Sequence, residues 1–407
     1  MIWKRSIKAS ALYFALLAAT LIALLLSSFL LLSKTQRIFQ QKNNTVLTSL
    51  QAVTEGLDNS LSSGNIGDYK FKERTVEIKE SAWGGFVLIH ARDTTDVFGL
   101  SKQGLIGSFL PEQASIVLAD NFLPLVVAGN ARIEGTAFLP ERGIQSAAIA
   151  GNYYTGERLI YGPYQNISSI GFPNLDQNWI LEVKNLIESL PESSVIENIP
   201  KELVVSFSKE PREFYFQEPL WIDQNISGNV IIRSSEEIRI GPNSQLEDAL
   251  FIAPKITIED DVKGRVHAIA TDSIVVRENV VLEYPSSLVL MDASGEAMQG
   301  SIILEENSQF KGNVIYCNEF ANEESLNANI VISDNCSTTG GVYSDGAVEL
   351  IGTNKGLLIT QYTVANQNSQ KYRNYIFNGR VLTENLPSNM AGLPLDIATR
   401  SLAAWLY

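Results

Sequence analysis

Residues 259–267 hold the densest group of side chains in the sequence that could perform acid–base chemistry. The segment reads Glu259-Asp260-Asp261-Val262-Lys263-Gly264-Arg265-Val266-His267. Carboxylates beside basic residues can act as a general acid and a general base, or can hold a cation. However, the three carboxylates come at the end of the strand-like run ITIE at 256–259, where charged residues mark a solvated turn. We therefore predict a turn here and assign no catalytic residue.

The rest of the sequence contains few residues or motifs that are typical of catalytic sites. The two histidines, His90 and His267, lie in different blocks of the sequence, so a histidine-based metal site or triad has few components. The sequence contains no P-loop, no Gly-x-Ser-x-Gly, no Cys-x-x-Cys and no His-Glu-x-x-His. We predict that the protein is not an enzyme and that it has no cofactor or metal site.

The two cysteines, Cys317 and Cys336, could form one disulfide. They are 19 residues apart, and each closes a strand-like run, NVIYC and NIVISDNC. If one coil of a stacked β structure has about that length, equivalent positions lie about 4.8 Å apart, within disulfide reach. We predict this bridge; the alternative is two separate thiols, one buried and one exposed.

The segment that must position everything else is residues 9–33, which contain neither a charge nor a proline. About 20 apolar residues span a bilayer core, so this segment predicts a transmembrane helix. A secretory signal shares the basic start at Lys4, Arg5 and Lys8, but its apolar region has about 7–15 residues. We predict an uncleaved single-pass anchor in the lipid bilayer.

Charge suggests which side the bulk of the chain occupies. Residues 1–8, a predicted cytoplasmic tail, carry a charge of +3, which leaves −17 for residues 9–407. We predict a cytoplasmic amino terminus, an inner-membrane location and an extracytoplasmic domain. The acidic balance, without a Lys/Arg cluster beyond the anchor flanks, excludes nucleic acid as an expected partner.

Residues 34–64 predict an amphipathic continuation of the membrane helix. Apolar residues recur there at spacings of three and four, which places them on one helix face. They are Val46, Leu50, Val53, Leu57 and Leu61. Short strand-like runs with Gly- or Asp-containing breaks follow in residues 65–125 and predict a small antiparallel sheet that covers this face.

This layout resembles that of type IV pilins and type II secretion pseudopilins over about residues 1–120. The stretch Lys8-Ala9-Ser10-Ala11-Leu12 is similar to the segment that a prepilin peptidase cuts, which implies processing between Ala9 and Ser10. Two positions differ from the family: Ala9 replaces the usual Gly, and Phe14 stands where most members have a Glu.

Residues 126–371 contain recurring β-branched runs, from NVIIR at 229–233 to LLIT at 357–360, and a helical insertion near 178–190. The echo of Gly228-Asn229-Val230-Ile231 in Gly312-Asn313-Val314-Ile315 predicts a parallel β-solenoid. An antiparallel β-sandwich is the alternative. This pattern of short β-branched runs resembles that of right-handed β-helices and, more loosely, that of bactofilin-type polymer-forming domains.

The recurring β-branched runs stop before residues 372–407, and we predict that this segment is a C-terminal cap. An apolar helical face is expected to cover the open end of the solenoid. Its residues are Ile397, Leu402, Trp405 and Leu406.

Three function hypotheses follow from these features. The first is a structural component of a cell-envelope assembly, pseudopilin-like in its anchor, whose solenoid docks other envelope proteins. The second is a β-helix protein that binds or cleaves polysaccharide. The third is a surface adhesin held by its amino end. The scarcity of catalytic groups favours the first.

Overall fold

The computed structural model describes residues 9–95, 99–108, 114–189, 198–291, 300–318, 326–383, 390–396 and 399–406. The protein is mainly β, with a long N-terminal helix, a small antiparallel sheet and a large body of parallel strands. The helices are α1 (Ala9–Ser63), α2 (Gln177–Glu188) and a 3-10 turn (Ile167–Ser169). The strands are β1 Gly67–Phe71, β2 Arg74–Trp83, β3 Phe86–Asp93, β4 Ser101–Ser108, β5 Ala114–Leu118, β6 Leu125–Ala128, β7 Arg132–Ile133, β8 Thr136–Leu139, β9 Ile144–Ser146, β10 Tyr164–Asn166, β11 Glu202–Val205, β12 Arg212–Phe216, β13 Leu220–Ile222, β14 Asn225–Gly228, β15 Val230–Ser234, β16 Glu237–Ile240, β17 Gln245–Ile258, β18 Lys263–Val276, β19 Val281–Met291, β20 Ser301–Leu304, β21 Gln309–Cys317, β22 Ile330–Ile332, β23 Ser337–Leu350, β24 Thr353–Gln367, β25 Gln370–Arg373, β26 Tyr375–Phe377, β27 Arg380–Leu382 and β28 Arg400–Leu406.

Helix α1 runs without a break through both predicted helical segments. Its first part is an exposed, apolar stretch, long and apolar enough to cross a membrane by length and composition. The second part packs on the small sheet, as the amphipathic pattern predicts. Its core against the sheet comprises Ala52, Val53 and Leu57 on the helix, with Val76, Ile78, Ile89, Ala91 and Ile106 on the strands.

The packed face of α1 differs from the predicted one in its centre. Val46 and Leu50 are exposed, whereas Ser49, Ala52 and Ser60 are completely buried. Small side chains let the helix backbone approach the sheet. At Gly56 an added Cβ would already lie 3.3 Å from Tyr69 and Val76 side-chain atoms. The spacing of apolar residues located the face of α1 that packs on the sheet. It could not reveal that small residues form the closest contact between the helix and the sheet.

The small sheet has the order β1-β2-β3-β4-β28 and is antiparallel throughout. Its fifth strand corrects the prediction of a C-terminal helical cap. Residues 400–406 form a strand that pairs with β4, not a helix over an open end of the parallel body. Of the predicted helical face, Leu402, Trp405 and Leu406 lie in this strand, and Ile397 lies outside the described residues.

The large body consists of parallel strands, which confirms the parallel prediction and excludes the antiparallel sandwich. Strand β17, with 14 residues, pairs in parallel with β14, β15 and β16 on one side and with β18 on the other. Because such long strands bend around the core and keep their pairing, the sheet closes on itself as a parallel barrel. The predicted solenoid is corrected to this closed barrel, in which the chain makes successive stacked rounds.

The barrel begins earlier in the sequence than predicted, with a strand that was expected to lie in the small sheet. Strand β5 at residues 114–118, assigned by the sequence to the small sheet, pairs in parallel with β24 and with β8. The first strands of the barrel are therefore stacked on one of its last. Helix α2, which coincides with the predicted insertion near 178–190, lies between β10 and β11 in the chain.

Several barrel strands, such as β5, β15 and the second half of β19, are buried on both faces, which explains their continuous apolar runs. In β19, Leu288 and Leu290 belong to the interior core of the barrel, whereas Val289 and Met291 belong to a second core on its outer surface. The outer core also contains Trp83 and Phe86 of the small sheet and Trp179, Ile180 and Val183 of α2. The small sheet and α2 thus cover one outer face of the barrel.

Candidate functional site

The acid–base segment at residues 259–267 forms the predicted turn. Asp260 and Asp261 are exposed, and Asp261 has a left-handed φ of 63°. The backbone N–H of Glu278 in the next turn donates to Asp260 Oδ1 at 3.1 Å. His267 lies further along β18 and is fully buried. The carboxylates and the histidine therefore do not converge on one site.

His267 instead begins a row of polar side chains, which we call the polar ladder. Its members His267, Ser287 and Asn313 occupy paired positions on three neighbouring strands, β18, β19 and β21. All three are fully buried on the outer face of the barrel. The turn between β2 and β3, formed by Gly84 and Gly85, lies directly over them.

Hydrogen bonds join the polar ladder to this turn. The N–H of Gly85 donates to Ser287 Oγ at 2.8 Å, and Ser287 Oγ lies 2.8 Å from His267 Nδ1. The amide of Asn313 donates to two backbone oxygens, at 2.9 Å to Gly85 and at 2.7 Å to Gly392. The ladder therefore ties the small sheet and the C-terminal segment to the barrel.

A serine oxygen within hydrogen-bond distance of a histidine is also the arrangement of a nucleophile and its base. Here, burial opposes that chemistry because a substrate cannot reach either side chain. Burial also lowers the pKa of His267 to about 3, with a smaller contribution from the charge of Arg265, so the ring is neutral at pH 7. His267 Nε2 has no hydrogen-bond partner among the described residues. The pair is consequently suited to holding the turn.

The two predicted cysteines are buried thiols that are not bridged to each other. Cys317 pairs with Met291 in the neighbouring round and belongs to the outer core, whereas Cys336 belongs to the interior core. The prediction is wrong because the paired strands β21 and β23 are 28 residues apart at Gln309 and Ser337, not 19. Ser308 Oγ donates to Cys336 Sγ at 3.1 Å, and burial raises the pKa of this thiol to about 11.

The predicted processing site, Ala9 and Ser10, lies at the first residues of α1, whose side chains are outside the described part. The helix is consistent with a single-pass anchor or with a signal sequence. Within the described ranges, no group of three or more His, Cys, Asp or Glu side chains is placed to hold a metal ion.

A second polar region, unlike the ladder, is open to solvent. A pocket with a volume of about 610 Å³ lies between the loop at 120–122, the start of α2 and the barrel strands β23 and β24. Its lining includes the amides Asn174, Gln177 and Gln361 and the ring of Phe122. We call it the amide pocket.

No known protein family, curated protein or solved structure matches the chain.

Sequence analysis missed both polar regions. Ser287 and Asn313 belong to no motif, although Asn313 lies in the Gly-Asn-Val-Ile echo that predicted the stacking. A usable signal lies in the turns: Asp261, Asn279, Asn307 and Asn335 all have a left-handed φ of 54–63°. Each follows a paired β-branched or leucine residue by three positions. Aligning the sequence on these Asp/Asn residues gives the rounds of 18 and 28 residues. It does not give the ladder, whose members lie 20 and 26 residues apart because the pairing is irregular before His267 and before Ser286.

Proposed function

We propose that this protein is a single-pass, membrane-anchored structural component of a cell-envelope assembly. Its amino terminus is cytoplasmic, and its barrel is an extracytoplasmic body that docks other envelope proteins. The observation that carries this proposal is the unbroken helix α1, which is apolar and exposed in its first part and packed against the small sheet in its second.

The contacts of α1 with the sheet support a stiff connection. Lys102 Nζ donates to Thr54 Oγ1 at 2.9 Å, and the N–H of Leu100 donates to Ser49 Oγ at 3.0 Å. Arg74 Nε donates to Thr48 Oγ1 at 3.2 Å. These bonds, together with the buried apolar residues, fix the helix on the sheet. The polar ladder then fixes the sheet on the barrel, so the membrane helix and the barrel would move as one unit.

Membrane retention tests the anchor. The intact protein should stay in the membrane fraction through high-salt and carbonate washes and should require detergent for release. Placing two arginines in the apolar stretch, Leu21→Arg with Leu24→Arg, should weaken retention, because each arginine at the centre of a membrane helix costs about 3 kcal/mol.

The matched control is Ile38→Arg with Phe39→Arg, on the same helix but beyond the apolar stretch. Phe39 is 70% exposed and Leu24 is 69% exposed, so local packing does not distinguish the pairs. The control should keep wild-type retention. Release of a soluble chain that begins after Ser33 would contradict the anchor and indicate a cleaved signal.

A finer part of the proposal is that the protein is a minor pseudopilin-like subunit. Helix packing on a small antiparallel sheet supports it, although β28 and the barrel have no part in the resemblance. Mass spectrometry of the amino-terminal peptide is the test. A mature chain that begins at Ser10 is expected, and an intact start at Met1 or Ile2 would contradict the pseudopilin-like assignment while leaving the anchor in place.

A further inference from the structure

The amide pocket has an exposed aromatic ring at its edge. Phe122 is 78% exposed and has a φ of 61°, a left-handed conformation that is rare for a bulky residue. Such backbone strain persists only where the surroundings impose it, and it concentrates at binding sites. Phe122 thus combines a strained backbone conformation with a phenyl ring that is exposed to solvent.

The loop that carries Phe122 is held on both sides by hydrogen bonds. Asp120 Oδ1 accepts the N–H of Phe122 at 2.9 Å, and Asp120 Oδ2 accepts the N–H of Glu141 at 3.1 Å. The amides of Asn121 and Asn374 donate to each other at 3.0 and 2.7 Å. The backbone that carries the ring is therefore held in a fixed position.

The pocket is lined by three charged side chains, Asp120, Asp345 and Arg373, but each of them contacts another group of the protein, so the groups left for a ligand are neutral. The side-chain amides of Asn174, Gln177 and Gln361 line it and form no hydrogen bond with the rest of the described chain. Each amide provides two donors and one acceptor. The carboxylate of Asp345, by contrast, accepts the Tyr343 hydroxyl at 2.7 Å and the N–H of Asn318 at 3.2 Å, and so supports the wall.

These features select the chemistry of the ligand. Small-ligand pockets have volumes of about 300–1,000 Å³ with a few polar groups that fix orientation, and the amide pocket lies in this range. A rigid, exposed aromatic ring stacks on a flat apolar surface, and uncommitted amides satisfy hydroxyl groups. A sugar ring has both features, because it carries C–H groups on its faces and hydroxyl groups around its edge. From this geometry we propose that the amide pocket binds a short, uncharged saccharide, with Phe122 as the stacking platform.

The test uses the full-length protein in lipid nanodiscs, because alkyl-glycoside detergents would themselves compete for the pocket. Saturation-transfer difference NMR measures binding of four neutral trisaccharides: maltotriose, cellotriose, triacetylchitotriose and mannotriose. Trigalacturonate is the anionic comparison, and empty nanodiscs give the background. At least one neutral trisaccharide should bind, with the strongest transfer to ring C–H protons.

Phe122→Ala should weaken that binding at least tenfold, and Gln177→Ala with Gln361→Ala should do the same. The control is Tyr153→Ala, which removes a ring that is 76% exposed but lies outside the pocket, and it should leave the affinity unchanged. Phe122→Asn guards against a misfolded loop, since asparagine tolerates left-handed φ, and it should lose binding like the alanine variant.

Three outcomes would overturn the proposal. They are no binding by any neutral trisaccharide up to about 10 mM, undiminished binding in folded Phe122→Asn protein, or binding of trigalacturonate alone. None of them bears on membrane anchoring, so failure here leaves the proposed function standing.

Discussion

The polar ladder and the amide pocket use similar residue types on the same barrel for opposite purposes. The ladder contains a Ser–His pair and an asparagine, yet all three side chains are completely buried beneath Gly84 and Gly85. The amide pocket also carries groups of catalytic type, such as Asp120 and Asp345, beside its amides, and it is open to solvent. Burial, not residue chemistry, therefore determines which of the two regions can meet a ligand.

The comparison also separates stability from binding. Ser287 and Asn313 satisfy backbone groups of Gly85 and Gly392, so removing either leaves buried donors or acceptors without partners. The uncommitted amides of the pocket satisfy nothing within the described protein, so their removal should leave the fold intact. Three substitutions test this contrast, from the largest expected effect on the free energy of unfolding to the smallest.

Gly84→Ala should be the most destabilising. Gly84 has a φ of 57°, and an added Cβ would lie 2.9 Å from His267 Cβ and would overlap Ser287 Oγ. Backbone strain and overpacking together predict a loss of about 3 kcal/mol. Urea unfolding followed by the fluorescence of Trp83 and Trp179 measures it.

Gly143→Ala is the control for that substitution. Gly143 has a similar φ of 65°, but no heavy atom lies within 4 Å of the added Cβ. It should cost about 1 kcal/mol through backbone conformation alone. If Gly84→Ala and Gly143→Ala lower the free energy of unfolding equally, the turn does not pack closely against the ladder.

Acid should weaken the ladder through His267. Its folded-state pKa, about 3, is below the value of 6.5 expected in the unfolded chain, so the unfolded state binds the extra proton. The stability contribution is complete above pH 6.5 and is lost as the pH falls toward 3. Between pH 6.5 and 4.5 the wild type should lose about 2 kcal/mol more than His267→Gln.

Urea unfolding at these two pH values measures the difference. Other titrating groups are common to both proteins and cancel. Asp93, whose pKa is lowered to about 2, titrates below this range and does not interfere. Parallel pH profiles for the two proteins would mean that His267 is not buried as described.

Phe122→Ala should have the smallest effect. Its ring is exposed, so the substitution should change the free energy of unfolding by less than about 0.5 kcal/mol. The same urea titration applies, with Phe138→Ala as the contrasting variant because Phe138 is buried in the outer core. A loss of more than about 1 kcal/mol for Phe122→Ala would assign the ring to the fold.

Sequence patterns gave the local elements well. The apolar run and its amphipathic continuation predicted α1, and the predicted helical insertion near 178–190 is α2. The short β-branched runs predicted the parallel strands. These signals succeed because apolar periodicity reports directly on which side of an element is buried.

Long-range register was harder to obtain. The intervals between paired positions are unequal: 28 residues from Val276 to Leu304 and from Leu304 to Ile332, but 18 from Ile258 to Val276. The cysteine prediction assumed a uniform spacing and failed. The C-terminal strand was missed because its apolar residues fit a helix equally well, and only pairing with β4 decides between the two.

The pairing of β5 with β24 has a consequence for the order of events during biosynthesis. The residues they join, such as Ile116 and Leu358, are separated by most of the chain. A strand made early must therefore wait for nearly complete synthesis before its partner emerges, and contacts of this kind slow folding. The antiparallel pairing of β28 with β4 adds a second late closure at the carboxyl terminus. Until both closures form, the chain presents unpaired strand edges, so it would depend on protection from aggregation during that interval.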